Sequence, residues 1–153
     1  MCNVTELLVA KRKIQALEAQ LTSETARLIS DSYIDVNDWY TILTAKLAEM
    51  GDSEAELYLA DSFCKIYNRI DVIEFLGLNT VDKIVFVAES MDCDDFAAEV
   101  YGKGLPLIWT NKHALNWFID ENASLWFVEP QTDKMARNLD NWQGWDVRFF
   151  LAR

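Results

Sequence analysis

The sequence predicts an α+β fold in which N-terminal helices are followed by one central helix packed on an antiparallel sheet. Three observations support this class. Apolar residues recur at helical spacing early in the chain, β-branched and aromatic runs dominate after Asp71, and the elements do not alternate as βαβ units would. With 153 residues, 51% of them apolar, we expect one domain, with a helical part at 1–70 and an α+β part at 71–153.

The first helix is predicted from Thr5 to Ile29 by a narrow apolar stripe close to a heptad repeat. The repeating positions are Leu7, Ile14, Leu21 and Leu28, with Ala10 and Leu17 between them. Such a stripe can pair two chains as a short coiled coil, although Glu24 interrupts it and three heptads are few. Packing of the stripe on the protein's own core is the alternative, and the pattern leaves both open.

Two more helices are predicted before residue 70. The second runs from Asn37 to Met50, with Asp35 or Asn37 as its N-cap and Gly51 as its left-handed stop. The third runs from Ser53 towards Tyr67. Its apolar face includes Cys64, which we interpret as a small core residue without chemical function.

The second part of the chain begins with a predicted strand at Ile84–Val87, where β-branched residues cluster. A helix follows, capped by Ser90 or Asp92, with Cys93 in its first turn and its end near the next two glycines. The remaining extended segments predict a strand meander and read LPLIW, HALNWFI, SLWFVEP and WDVRFFL.

Composition argues against several classes of function. Asp and Glu number 25 against 14 Lys and Arg, a formal charge of −11, so binding to nucleic-acid phosphates is disfavoured. No stretch approaches the roughly 20 apolar residues of a membrane-spanning helix, and we expect no membrane partner. The odd number of cysteines (Cys2, Cys64 and Cys93) and the lack of an apolar run of signal-peptide length predict a reducing, cytoplasmic location.

Cys93 and His113 are candidates for nucleophilic chemistry. A helix N-terminus stabilises a thiolate through its partial positive charge and unpaired N–H groups, although Asp92, Asp94 and Asp95 oppose ionisation of the thiol. His113 is the only histidine, and no other residue can serve as a neutral base near neutral pH. A buried, inert thiol and a structural histidine are the alternative interpretations.

Glu129 is the candidate that would orient the His113 ring. It ends the segment SLWFVEP, which we expect to pair with HALNWFI as an antiparallel hairpin. Because side chains alternate along a strand, Glu129 shares a face with His113 only if the connection has an odd number of residues or a bulge. We predict such a connection, with Glu129 opposite Leu115 and Gln131 opposite His113. An ordinary surface carboxylate is the alternative.

Three short motifs occur in the order Asp-Cys-Asp-Asp-Phe-Ala, His-Ala-Leu-Asn and Glu-Pro-Gln. They resemble those of the papain-like C-terminal domain of fungal chimeric agglutinins and related small phage proteins, and more distantly those of bacterial transglutaminase-like cysteine peptidases. The resemblance implies a papain-like core and a hydrolase or transferase that acts on an amide bond of a peptide or protein through an acyl thioester. It implies Cys93 as nucleophile, His113 as base and Glu129 as the orienting carboxylate.

Further site residues are predicted around this group. Candidates for oxyanion or substrate binding, besides the backbone N–H of Cys93, are Gln131, Ser90, Asp92, Trp109 and Asn116. No metal site is expected, and no cofactor apart from calcium, which the resemblance suggests. The oxygen ligands for calcium would come from Asp92, Asp94, Asp95 and Asp133, although their spacing is not that of an EF-hand.

Two other functions are consistent with the same residues. The chain can be an acidic inhibitor or interaction protein of phage type, which keeps the hydrolase fold without its chemistry and binds a basic host protein. It can also be a structural virion component that self-associates through its first helix. A Cys93→Ala variant would separate these from the expected hydrolase, because a binding protein tolerates the loss of one thiol.

Overall fold

The computed structural model describes residues 4–52, 54–140, 144 and 146–152, with residues 4–7 described by their backbone. Three residues used above lie outside the described residues. They are Cys2, the predicted start of the third helix at Ser53, and Trp145 at the head of the last predicted strand.

The described residues form four α-helices and eight strands. The helices are α1 (Val4–Thr25), α2 (Val36–Met50), α3 (Arg69–Leu78) and α4 (Cys93–Lys103). The strands are β1 (Ser32–Asp35), β2 (Glu56–Leu59), β3 (Phe63–Ile66), β4 (Leu107–Thr110), β5 (Ala114–Ile119), β6 (Leu125–Glu129), β7 (Lys134–Ala136) and β8 (Val147–Ala152). The protein therefore has the predicted α+β class.

Six strands form one sheet in the order β2-β8-β4-β5-β6-β7, and β1 pairs with β3 in a separate ladder. All neighbours in the large sheet are antiparallel except β2 and β8, which are parallel. The predicted antiparallel sheet is thus wrong at one edge. The reason is that β2, from the first part of the chain, completes the sheet beside the last strand.

Helices cover both faces of this sheet. On one face, Trp39 and Leu43 of α2 pack in a buried cluster with Trp117. On the other face, Phe96 of α4 packs in a cluster with Phe118. Trp117 and Phe118 are consecutive in β5, and side chains alternate along a strand, so the two clusters lie on opposite sides. The prediction of a single helix on the sheet is therefore wrong, because α2 packs on it as well as α4.

The predicted caps of α2 and α4 are confirmed. The Asp35 side chain accepts a hydrogen bond from the Asn37 N–H at 2.8 Å, and Gly51 ends α2 at φ 76°. Asp92 is the N-cap of α4, and Gly104 is its C-cap. The first helix ends at Thr25, earlier than predicted, because the chain then turns to pair Leu28 with the end of α4. No described helix combines the length and apolarity that crossing a membrane requires.

The third predicted helix is wrong. The segment from residue 56 to residue 66 forms β2 and β3 instead, although Cys64 is buried as predicted. Helical spacing of apolar residues over so short a stretch does not exclude strands. Partners distant in sequence decide the matter, because β2 pairs with β8 and β3 pairs with β1.

The predicted strand at Ile84–Val87 is also wrong. These residues follow a 3₁₀ turn at Val81–Lys83, and the four side chains are exposed. The backbone of this segment makes an isolated bridge between Val87 and Met91. A β-branched run needs a neighbouring strand to form a ladder, and this run lies outside both sheets.

Candidate functional site

The β5–β6 hairpin brings His113 and Glu129 together. Asn116 pairs with Val128 and Ile119 pairs with Leu125, which leaves an odd number of residues in the connection, as predicted. Continued by one residue, this register sets Glu129 opposite Leu115 and diagonal to His113. The His113 Nε2–H donates to Glu129 Oε2 at 2.7 Å, since an ionised carboxylate can only accept.

Both members of this pair are shielded from water and fixed by the backbone. The side chains of His113 and Glu129 are 11% and 3% exposed. Glu129 Oε1 also accepts from the Gln131 N–H at 3.2 Å, and the His113 N–H donates to Thr110 Oγ1 at 2.9 Å. Thr110 N–H in turn donates to the His113 carbonyl at 2.8 Å. The bend between β4 and β5 is therefore closed at both ends, which orients the imidazole.

Cys93 is the first residue of α4, as predicted, and it is half-buried. Its side chain packs against the small buried cluster of Ala97, Leu107 and Ala114. Ala114 follows His113 directly in the chain. At the helix N-terminus, the Asp92 N–H donates to Asp95 Oδ2 at 3.1 Å, so one predicted calcium ligand serves as a cap instead.

The other predicted site residues lie in different surroundings. Asn116 is fully buried and donates from Nδ2 to the carbonyls of Ala97 at 3.0 Å and Pro106 at 3.2 Å, which ties α4 to the sheet. Ser90 is exposed in the turn that precedes α4, and its N–H donates to the Val87 carbonyl. The oxyanion or substrate-binding role of Asn116 and Ser90 stays a prediction.

Asp92, Cys93 and Asp94 offer ligand atoms within 4.8 Å of one another. A hydrogen bond between the carboxyl groups of Asp92 and Asp94 raises the pKa of Asp94, and partial burial of Asp94 is a smaller cause. Calcium takes six to eight oxygen ligands, and a thiolate is a soft ligand that it does not prefer. These three residues therefore do not fit a calcium ion, and calcium stays a prediction.

Three aromatic rings that our sequence analysis did not group together form a row on the same sheet face as Cys93. Phe149 of β8 stacks on Trp109 of β4, with ring centroids 5.8 Å apart, and meets Tyr58 of β2 edge-on at 5.9 Å. We call Tyr58, Trp109 and Phe149 the aromatic platform. Trp109 and Phe149 are half-buried and Tyr58 is 50% exposed.

Trp109 was among the predicted substrate-binding residues, but the alternation of side chains along its own segment does not show that Phe149 is its neighbour. Tyr58 could not have been placed with them, because its segment was interpreted as a helix. Cross-strand pairing sets the platform: Trp109 is the pair partner of both Ala114 and Phe149, and such partners project on one face.

An open cleft of about 720 Å³ adjoins the platform at Phe149. Its lining residues are Gly51, Asp52, Glu54, Glu56, Asp146, Val147, Arg148 and Phe149. The Tyr58 hydroxyl donates to the Glu56 carboxylate, and this hydrogen bond is the main cause of the raised pKa of Tyr58. Asp146 accepts from Asn111 Nδ2 at 2.9 Å. The cleft thus presents several hydrogen-bonding groups and a strong excess of negative charge.

The solved structures that are similar to this chain include the following two, whereas no protein-family model and no curated protein sequence matches it. One is described as a PSL1a-E64 complex, with a TM-score of 0.64 at 21% identity over 78% of this chain and 50% of that chain. The other is Polyporus squamosus lectin bound to the human-type influenza-binding epitope Neu5Aca2-6Galb1-4GlcNAc, with a TM-score of 0.62 at 19% identity over 78% and 49%.

At these identities the likeness shows a shared fold. The chain spans about half the length of each of these two structures. Their similarity covers most of this chain and leaves the other half of each neighbour without a counterpart in it.

This result corrects the resemblance drawn from the three motifs. The structural neighbours are those of a sugar-binding lectin, and not of a papain-like cysteine hydrolase domain. The predictions of a thiol protease or transglutaminase-like enzyme, of an acyl thioester, and of an inactive inhibitor with the hydrolase fold are wrong with it. The predicted peptide or protein substrate is wrong as well, since the lectin among these neighbours is described with a bound glycan.

Proposed function

We propose that the chain binds carbohydrate and that the aromatic platform is its binding surface. The observation that carries the proposal is the row of three touching rings, partly exposed, beside a cleft with several carboxylates. A sugar ring has apolar C–H faces and a rim of hydroxyls. Aromatic side chains can cover the first, and polar side chains can bond to the second.

The fold supports this proposal. Polyporus squamosus lectin is described in complex with a glycan, and its fold covers most of this chain. Exposed apolar area of this kind also needs an explanation of its own, because contiguous apolar patches on a protein surface commonly mark binding sites.

Charge suggests which glycans bind. The cleft beside the platform has Asp52, Glu54, Glu56 and Asp146 against one cation, Arg148, and the whole chain has a formal charge of −11. An acidic sugar such as a Neu5Ac unit would be repelled by this field. We therefore propose neutral glycans as ligands, whose hydroxyls can donate to the carboxylates.

In this proposal the buried pair of His113 and Glu129 positions the surface and does not contact the glycan. The pair closes the bend after β4, and Trp109 lies immediately before that bend, opposite Ala114. Cys93 packs on the buried cluster of Ala97, Leu107 and Ala114 and is not one of the rings of the aromatic platform. Loss of its thiol should leave glycan binding almost unchanged.

The test is a glycan array probed with the labelled chain, followed by calorimetric titration of the strongest neutral ligand. We expect neutral glycans to bind more tightly than their sialylated counterparts. Truncation of an aromatic contact commonly costs about 1–2 kcal/mol, or roughly a fivefold to thirtyfold rise in Kd. Tyr58→Ala and Trp109→Ala should each show a rise of this size.

Tyr33→Ala is the matched control for Tyr58→Ala. Tyr33 is also a strand tyrosine and is 52% exposed, but it lies in β1, outside the platform. Tyr33→Ala and Cys93→Ala should bind with the Kd of the unmodified chain. Absence of any neutral glycan signal, or equal Kd values for Tyr58→Ala and Tyr33→Ala, would refute the proposal.

A further inference from the structure

Helix α1 has an apolar stripe that the described residues of the chain leave uncovered. Every residue from Leu8 to Thr22 is exposed. Among them, Ile14, Leu17 and Leu21 are 55–61% exposed, and their spacing of three and four residues places them on one side of the helix. The structure thus decides against packing of the α1 part of the stripe on the protein's own core, whereas Leu28, beyond the end of α1, is buried.

The helix is fastened to the protein only near its C-terminal end, among the described side chains. Ser23 is buried, and its hydroxyl lies 2.6 Å from that of Thr80. Lys103 Nζ donates to the Ser23 carbonyl at 3.1 Å and to the Glu24 carbonyl at 3.3 Å, which satisfies carbonyls that the helix end leaves free. The apolar stripe lies on the part that extends beyond this anchor.

Most helical stability in proteins comes from burial of an apolar face. The described part of α1 that bears the apolar stripe gains no such burial within one copy of the chain. The sequence VTELLVAKRKIQALEAQLTSET also has apolar residues at heptad spacing, with Ile14 and Leu21 at one core position and Leu17 at the other. A helix with this pattern is suited to a second helix of the same kind.

Charges beside the stripe favour a second copy of the same chain. In a parallel pair of α1 helices, Lys13 of one copy lies next to Glu18 of the other, five residues further on. In an antiparallel pair, Glu18 lies next to Lys11 instead. In the parallel pair one such contact forms on each side of the seam, and in the antiparallel pair both contacts lie on the same side. The stripe is narrow, as in coiled coils, whereas a helix lying on a membrane has a broad apolar face.

We propose that two copies of the chain associate through α1 as a two-stranded coiled coil. Its core consists of the heptad positions that include Ile14, Leu17 and Leu21. Glu24, at the position where the next core residue would stand, limits the seam at the anchored end. This proposal is independent of the proposed glycan binding, because α1 contributes no residue to the aromatic platform.

Sedimentation equilibrium over a range of about 1 to 300 µM tests the proposal, because a short coiled coil associates weakly and its population depends on concentration. The mass should rise from 17.6 kDa towards twice that value. Leu17→Asp should abolish the rise, since it buries a charge at the seam. Ala19→Asp introduces the same charge at an exposed position on the outer side of α1 and should leave it unchanged.

Circular dichroism of the same samples checks that Leu17→Asp is still folded. Only residues of α1 should lose helicity in this variant. A chain that stays monomeric at every concentration, or equal association of Leu17→Asp and Ala19→Asp, would overturn the proposal. Cosedimentation of a monomeric chain with phosphatidylcholine vesicles would overturn it as well and would assign the stripe to a lipid surface.

Discussion

Glu129 is a carboxylate with almost no access to water, and its hydrogen bonds hold the end of the β5–β6 hairpin. It accepts from His113 on one oxygen and from the Gln131 N–H on the other. Removal of a charged hydrogen-bond acceptor from a buried site leaves its donors unsatisfied. We therefore assign Glu129 mainly to stability and to the orientation of His113.

Glu129→Gln should lower the free energy of unfolding by about 1–3 kcal/mol, because the amide keeps the volume but replaces a charged acceptor. Urea denaturation followed by tryptophan fluorescence measures this. Glu99→Gln, at an exposed position of α4, should change stability by less than about 0.5 kcal/mol. If the two variants were equally stable, the buried pair would contribute nothing to the fold.

Asp133 is a strained and partly buried carboxylate. Burial, and next the nearby Asp82 carboxylate, raise its pKa to about 6, against a smaller opposing effect of Lys83. Its backbone is left-handed at φ 56°. A carboxyl with a raised pKa binds its proton more tightly in the folded state, so its ionisation destabilises the fold. This cost is absent below about pH 4, grows between pH 4 and 6, and is complete above pH 6.

Asp133→Asn should stabilise the chain by about 1 kcal/mol at neutral pH, a value that allows for solvent screening of a half-exposed group. Asparagine also tolerates the left-handed backbone. The melting temperature should rise by about 2–4 °C at pH 7.5 and stay unchanged at pH 4. Asp31→Asn, at an exposed position, should show no such pH-dependent gain. An equal gain for Asp133→Asn at both pH values would exclude relief of charge repulsion.

At the level of helices and strands, three segments of the chain meet at the end of α4, and only a glycine at position 104 leaves room for this contact. Gly104 adopts φ 133°, and a Cβ there would lie 2.6 Å from the Leu28 carbonyl oxygen. The Gly104 carbonyl also accepts from the Tyr67 hydroxyl at 2.8 Å. The chain after α1, the end of β3 and the end of α4 therefore meet at one point with no room for a side chain.

Gly104→Ala should destabilise the fold by about 2–3 kcal/mol, because both the backbone and the contact with Leu28 must move. Gly102→Ala is the matched control, since a Cβ there meets nothing within 4 Å. It should instead stabilise by about 0.5–1 kcal/mol through better helix propensity. Thermal unfolding of the two variants should shift in opposite directions. Shifts of the same sign would contradict this account of the junction.

The sequence predicted well those helices whose N-cap and C-terminal glycine lie in the same short segment. The polar caps Asp35 and Asp92 and the glycine ends Gly51 and Gly104 predicted α2 and α4 closely, because capping depends on neighbouring residues. Strands depend on partners elsewhere. The residues of β2 therefore looked helical, and the run at Ile84–Val87 looked like a strand without forming one.

Across the complete fold, the net charge and the aromatic platform together determine which ligands we expect the chain to bind. The net charge of −11 is a property of composition, and it disfavours anionic ligands wherever they bind. The surface available for an uncharged ligand depends on the arrangement of β2, β8 and β4 in one sheet. Residues nearly a hundred positions apart, Tyr58 and Phe149, become neighbours there.

The sequence by itself determined the α+β class, the caps of two helices and the heptad stripe of α1. These features depend on the spacing of residues that are close in sequence, because the backbone geometry of a helix or strand fixes which of them share a face. Tertiary structure decided that β2 lies beside β8, that α1 stays uncovered, and that Trp109 belongs to an aromatic platform. Such outcomes depend on which distant surfaces bury one another, and the spacing of residues along one segment carries no information about that.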